Sequence, residues 1–269
     1  MFLRILWLIV LCVGSGVGQA QEASDEPANY AFAAYMGSGL YSATDASLFV
    51  LNASTSMELE QRKDIRLRLS TSAGFFDYGI DHIEQLKVPD SIGTFTVIPG
   101  VEKVYPMNPH WDLIPHVDFG LSRNFSTKED ARVYAIGVQS IYRRDAERDH
   151  HLWVNQMLWA GAKTFGTDQR DNYVKLLSGY DHKTRAYFDF ATGRTVLTLY
   201  GFISWSYNGI DYMEKWRGST ARDLNYEVGT SLFAPKPVDV WITDIDRIGL
   251  GVRHNQFGTV VRLFIGTPF

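Results

Sequence analysis

The C-terminal stretch constrains the fold more than any other part of the chain. Thr259, Val261, Leu263, Ile265, Thr267 and Phe269 alternate with Val260, Arg262, Phe264, Gly266 and Pro268. Successive side chains of a strand point to opposite faces, so one face is apolar and closes on an aromatic while the other carries an arginine. On a lipid-facing strand an arginine at the bilayer midplane costs ~2–4 kcal/mol. Arg262 therefore marks its face as lumenal, and Val261, Leu263 and Ile265 mark the lipid face. Phe269, ending that face, has the form of an outer-membrane assembly signal read by the barrel-assembly machinery. Thr267 is a weaker member of the set than an apolar residue would be.

The same alternation recurs upstream. Ile65, Leu67, Leu69, Thr71 and Ala73 alternate with Arg66, Arg68, Ser70, Ser72 and Gly74. Trp111, Leu113, Val117, Phe119 and Leu121 oppose Asp112, His116, Asp118, Gly120 and Ser122. Leu224, Tyr226, Val228 and Leu232 oppose Asn225, Glu227, Gly229 and Ser231, and Ile248, Leu250 and Val252 oppose Arg247, Gly249, Gly251 and Arg253. A soluble β-sandwich explains alternation, but neither the terminal Phe nor a polar face so rich in arginine. These patterns predict an all-β chain folded as an antiparallel transmembrane β-barrel in the outer membrane of a Gram-negative bacterium.

The N-terminus fits export. Arg4 precedes an apolar run from Ile5 to Val13, followed by small and polar residues ending in Gly18, Gln19 and Ala20, the order of a secretory signal peptide. The run is about half the ~20 residues that a spanning helix needs. Cleavage after Ala20 is expected to leave 249 of the 269 residues, without cysteine, because Cys12 falls inside the signal. Residues 21–29 then read as a short periplasmic segment and residues 30–269 as the barrel. With Arg4 removed, 25 basic side chains face 30 acidic ones, a balance that does not suggest a nucleic-acid partner. After Val13 no stretch is long and apolar enough for a spanning helix, whereas barrel strands show only weak alternating hydropathy.

Turn-forming clusters divide the chain at Glu60–Asp64, Asp77–Ser91, Pro106–His110, Ser126–Asp130, Arg143–His150, Phe165–Asp171, Ala191–Arg194, Asn208–Asp223, Pro235–Asp246 and His254–Gly258. Twelve strands result if Tyr30–Tyr41 is the first, and ten are possible if that segment is instead a short alanine-rich helix plugging the lumen. An even number places both termini in the periplasm. The longest loops, Asp77–Ser91 and Asn208–Asp223, then fall outside, and Pro235–Asp246 is a long inside turn. Tyr105, Trp111, Tyr142, Trp153, Trp205 and Trp241 lie near strand ends, where interfacial aromatic girdles form.

From about Thr94 to Phe269 the chain resembles the solitary outer-membrane autotransporter-like β-barrel family of gammaproteobacteria. The resemblance is carried by Pro99-Gly100-Val101-Glu102, Tyr105-Pro106-Met107-Asn108 with Trp111, Asp118-Phe119-Gly120, Arg123-Asn124-Phe125 and Tyr134-Ala135-Ile136-Gly137-Val138-Gln139-Ser140. It continues in Arg247-Ile248-Gly249-Leu250-Gly251-Val252-Arg253 and in Arg262-Leu263-Phe264-Ile265-Gly266-Thr267-Pro268-Phe269. It implies a single barrel similar to an autotransporter translocator without a passenger domain, and it transfers no functional residues.

Acids stand beside imidazoles in Asp81-His82, Asp149-His150-His151 and Asp181-His182. Neighbours on a strand face opposite ways, and no metal-ligand spacing appears. An outer-membrane hydrolase acting on lipid or peptide is the competing reading. It would need a serine beside a histidine, yet His116 and Ser122 stand ~20 Å apart along one strand. No catalytic residue, cofactor or metal site is therefore assigned. The lumenal arginines Arg66, Arg68, Arg247, Arg253 and Arg262 either line an anion-favouring pore or pair with Asp112, Asp118, Asp189 and Glu227 to fill a closed interior. The partners expected are outer-membrane lipid and the assembly machinery, with the barrel a monomer in a structural or narrow-pore role.

Overall fold

In the computed structural model the described residues are 35, 39–43, 46–76, 93–125, 127–144, 151–166, 170–190, 193–207, 222–240, 243–255 and 258–269. The signal peptide, residues 21–29, the acids and histidines at 81–82 and 149–150, and Trp241 lie outside them. The strands are β1 (Gly39–Ala43), β2 (Ala46–Leu59), β3 (Arg62–Phe76), β4 (Thr94–Lys103), β5 (Tyr105–Asn108), β6 (Trp111–Asn124) and β7 (Glu129–Arg143). They continue as β8 (His151–Thr164), β9 (Arg170–Phe190), β10 (Gly193–Tyr207), β11 (Arg222–Val240), β12 (Thr243–Asn255) and β13 (Gly258–Ile265).

Every pairing is antiparallel and, β5 apart, joins sequence neighbours in one continuous sheet. β5 prolongs β4: Glu102 pairs with His116 and Tyr105 with Leu113 in one register against β6, which slips only between Pro106 and Asn108. Twelve strands thus run side by side, and the sheet curls until its edges, β1 and β13, lie within 8 Å. No ladder joins those two edges among the described residues.

The wall is inverted relative to a soluble protein. On β6, Val117, Phe119 and Leu121 are each more than half exposed, while His116, Asp118 and Ser122 are each 3% exposed. On β13, Leu263 is 40% exposed and Arg262 2%. Period-two alternation puts the apolar side chains outside and the charges inside, as a strand between lipid and lumen requires. Trp111, Tyr142, Trp153 and Tyr180 are successive register partners across β6, β7, β8 and β9, and all are exposed. They form a row of amphipathic rings along one rim.

Three segments depart from the sequence expectation. Within Tyr30–Tyr41, expected as a strand or as a plugging helix, the described residues divide: Tyr35 is helical, as in the second alternative, and Gly39–Ala43 is the first strand, so twelve strands remain. The Tyr35 ring packs on a lumenal wall of Ile98, Ala131, Val133, Ala135, Leu158, Ala160 and Ala162, which offers more apolar contact than a strand position would. The long inside turn at Pro235–Asp246 is absent, since β11 runs to Val240 and β12 starts at Thr243. Pro235 and Pro237 lack an N–H, and the ladder slips there, between Phe233 and Val238, before resuming at Val238↔Ile245. Lastly, β13 stops at Ile265, and Gly266 takes φ +85°, donating its N–H to the Arg247 carbonyl. That turn carries Phe269 inward, so it is not on the lipid face.

Candidate functional site

The lumen carries the chemistry of this molecule. One buried ion pair joins strands that are not neighbours: Arg247 on β12 clamps Asp181 on β9 with two parallel hydrogen bonds of 2.8 and 2.7 Å. The same guanidinium donates to Ser231 Oγ at 2.6 Å and Thr198 Oγ1 at 2.7 Å. A planar fork spread over a carboxylate and two hydroxyls satisfies donors that would otherwise be orphaned. Asp181 thus points inward while its neighbour His182 points outward, stacked on His151 with ring centroids 4.6 Å apart. The strand's alternation separates that acid from that imidazole.

Glu227 on β11 is the second centre and is fully buried. Its Oε2 accepts from Arg253 Nε at 2.8 Å and its Oε1 from Tyr200 OH at 2.8 Å, and that Oε1 also lies 3.3 Å from Arg262 Nε. Arg262 also donates to the Pro268 carbonyl at 2.8 Å, tying β13 to the inturned tail. Phe269 closes the cluster edge-on against Tyr200 and Phe202. Its ring occupies space above Gly179, where an added Cβ would stand 2.3 Å from the ring. Gly251 does the same for Tyr200, whose hydroxyl would meet a Cβ at 2.1 Å.

Tyr35 links β6 to β9 along the inner wall. Its hydroxyl donates to Asp118 Oδ2 on β6 at 3.1 Å, and its carbonyl accepts from Lys175 Nζ on β9 at 3.4 Å. Asp118 Oδ1 and His116 Nδ1, on the same face of β6, are buried without a hydrogen-bond partner. Nearer one end, Arg66 and Arg68 straddle Glu102 at 3.8 and 3.5 Å, and Arg66 also reaches Glu58.

The sequence-derived charges fall into three groups. Glu227, Arg253 and Arg262 meet. Arg66, Arg68 and Arg247 find acids other than those expected: Glu102, Glu58 and Asp181. The remaining acids take different partners as well. Asp112 holds Arg143, Asp189 lies exposed beside Arg194, and Asp118 binds a tyrosine. Glu102 and Asp181 were within reach of face parity alone, because each falls on the arginine-bearing side of its hairpin. Lys175 and Tyr35 had no such signal. Ser122 exchanges its hydroxyl hydrogen bond with Thr96 rather than with His116.

A curled antiparallel sheet whose edges approach one another, with an apolar outer wall, a rim of aromatic rings and an ion-paired interior, defines a transmembrane β-barrel of the outer-membrane type. Among solved structures the chain is similar to a KdgM porin in complex with disordered oligogalacturonate, at 12% identity over 84% of this chain and 94% of that one, TM-score 0.47. It is also similar to the siderophore receptor PirA from Pseudomonas aeruginosa, at 12% identity over 84% of this chain and 37% of that one, TM-score 0.36. No protein-family model and no curated protein matches the chain, so nothing there narrows the barrel to the autotransporter-like family.

Proposed function

We propose that this protein is a non-enzymatic outer-membrane barrel, a narrow conduit whose resting lumen is obstructed by its own side chains. The observation that carries this reading is Tyr35 set inside the lumen against the β4, β7 and β8 wall, its hydroxyl on Asp118 of β6 and its carbonyl on Lys175 of β9. Phe269 adds a second obstruction against Tyr200 and Phe202. Side chains fill a barrel of ~8 strands and leave an aqueous channel in one of about 16–18, so at twelve the inward groups decide how much water path remains. Two inward groups and several ion pairs then leave little continuous water path. The apolar face of β13, Val261, Leu263 and Ile265, is the surface we assign to the assembly machinery, without the lipid-facing aromatic.

Planar-bilayer recording tests the reading. The unmodified barrel is expected to show little steady conductance. Tyr35→Ala combined with removal of residues 267–269 is expected to raise it several-fold. A large, stable conductance in the unmodified protein, or no change in the variant when its insertion is intact, would overturn the obstructed lumen.

A further inference from the structure

The two rims of the apolar wall differ in chemistry. On β7, Arg132 and Tyr142 are both exposed, ten residues apart near opposite ends of the strand. At ~3.4 Å per residue and a tilt of ~35–45°, that separation spans about 25 Å of height, the band that lipid tails cover. The Tyr142 rim carries the neutral row from Trp111 to Tyr180. The Arg132 rim is cationic. Arg132 stands opposite Lys163 of β8 in the ladder, and Lys163 stands opposite Arg170 of β9. Arg132 lies between the buried Ala131 and Val133, and Lys163 between the buried Ala162 and Thr164, so both point outward. Arg123 of β6, between the buried Ser122 and Asn124, does the same and has Asp130 at 3.6 Å. Neither Arg132 nor Lys163 has a carboxylate within ion-pair distance among the described residues.

Like charges directly opposite one another destabilise a sheet, and cations beside hydrocarbon are costly. An anion shared between β7 and β8 relieves both. Aromatic rings steady the donors: the Arg132 guanidinium lies 4.7 Å from the Phe165 ring centre, and that of Arg123 lies 5.9 Å from Phe125. The connections from Phe76 to Thr94 and from Tyr207 to Arg222 leave from this rim, whereas Phe190 to Gly193 and Val240 to Thr243 turn at the other. Bacterial barrels keep their longer loops outside, so the cationic rim meets the outer leaflet, whose lipid in a Gram-negative outer membrane is a phosphorylated glycolipid. Phosphate oxygens suit a guanidinium fork and an ammonium placed side by side. The acyl chains would continue down the same two strands over Ile136, Trp159 and Met157, all exposed. We infer that Arg132 and Lys163, flanked by Arg123, form a docking surface for the phosphate of a phosphorylated glycolipid in the outer leaflet. The surface lies on the outside of the wall and does not depend on an obstructed lumen.

The test is native mass spectrometry of the full-length barrel released from dodecyl maltoside micelles, titrated with bisphosphorylated lipid A, with dephosphorylated lipid A and with phosphatidylglycerol. Bisphosphorylated lipid A is expected to bind at least tenfold more tightly than either of the others, the scale of a hydrogen bond to a charged group. Arg132→Gln with Lys163→Gln should weaken it by at least tenfold. Arg194→Gln, exposed at the opposite rim beside Asp189, should leave it unchanged. Equal affinity for the dephosphorylated form, or an unchanged affinity in the double variant, overturns the surface. An equal loss in Arg194→Gln overturns its location, and equal binding of phosphatidylglycerol overturns the glycolipid. Should the double variant fail to give the heat-modifiable folded form, Lys163→Gln alone decides, with the same outcomes.

Discussion

At the scale of single residues, the lumen is held by side chains whose removal strands a partner. Glu227 binds two guanidiniums and a phenol, so Glu227→Gln leaves Arg253 and Arg262 without their carboxylate. Breaking a buried pair from one side typically costs ~3–5 kcal/mol, and a loss of that order is expected in urea unfolding followed by tryptophan fluorescence. Glycine matters here for space. Gly251→Ala would bring a Cβ to 2.1 Å from the Tyr200 hydroxyl and 2.8 Å from Glu227 Oε1. Overpacking of that kind costs ~1–3 kcal/mol. Gly201→Ala meets its nearest atom at 3.4 Å and should be nearly neutral by the same measurement.

At the scale of the strand, β13 shows how one residue step changes the solvent. Leu263 faces out and Arg262 faces Glu227. Leu263→Arg places a charge in hydrocarbon, at ~2–4 kcal/mol near the midplane. It should sharply reduce the heat-modifiable, membrane-inserted form. Arg262→Leu leaves Glu227 with Arg253 and Tyr200, so insertion should persist with reduced stability. Equal loss of insertion in both variants would mean that the faces of β13 are misassigned. The terminal aromatic no longer enters that comparison, since the positive φ of Gly266 takes Phe269 off the strand and into the lumen.

At the scale of the whole molecule, the Arg247–Asp181 clamp ties β12 to β9 across the two intervening strands, β10 and β11. It acts as a strut that ladder hydrogen bonds between neighbours cannot provide. Arg247→Met alone buries an unpaired Asp181 and should cost ~3–5 kcal/mol, whereas Arg247→Met with Asp181→Leu removes both charges and should recover most of that loss. A double-mutant cycle by urea unfolding measures the coupling. Additive losses would show that the two side chains do not support one another.

What the sequence determined by itself is local and periodic. Arginines confined to one face of β3, β12 and β13, with apolar residues on the other, set the two faces, because a strand's side-chain period is two whatever its neighbours do. Turn chemistry divided the chain into twelve strands, and it failed at Pro235–Asp246, where prolines sit inside a strand at a slip in register. Which charges meet was left to the tertiary structure. Arg247 and Asp181 are 66 residues apart in sequence, and their contact depends on the curvature of the barrel and the stagger of its strands. The same holds for Tyr35, whose place beside Asp118 and Lys175 follows from an apolar lumenal wall assembled out of β4, β7 and β8. It holds also for Phe269, which pattern alone puts in lipid and a single left-handed glycine puts inside.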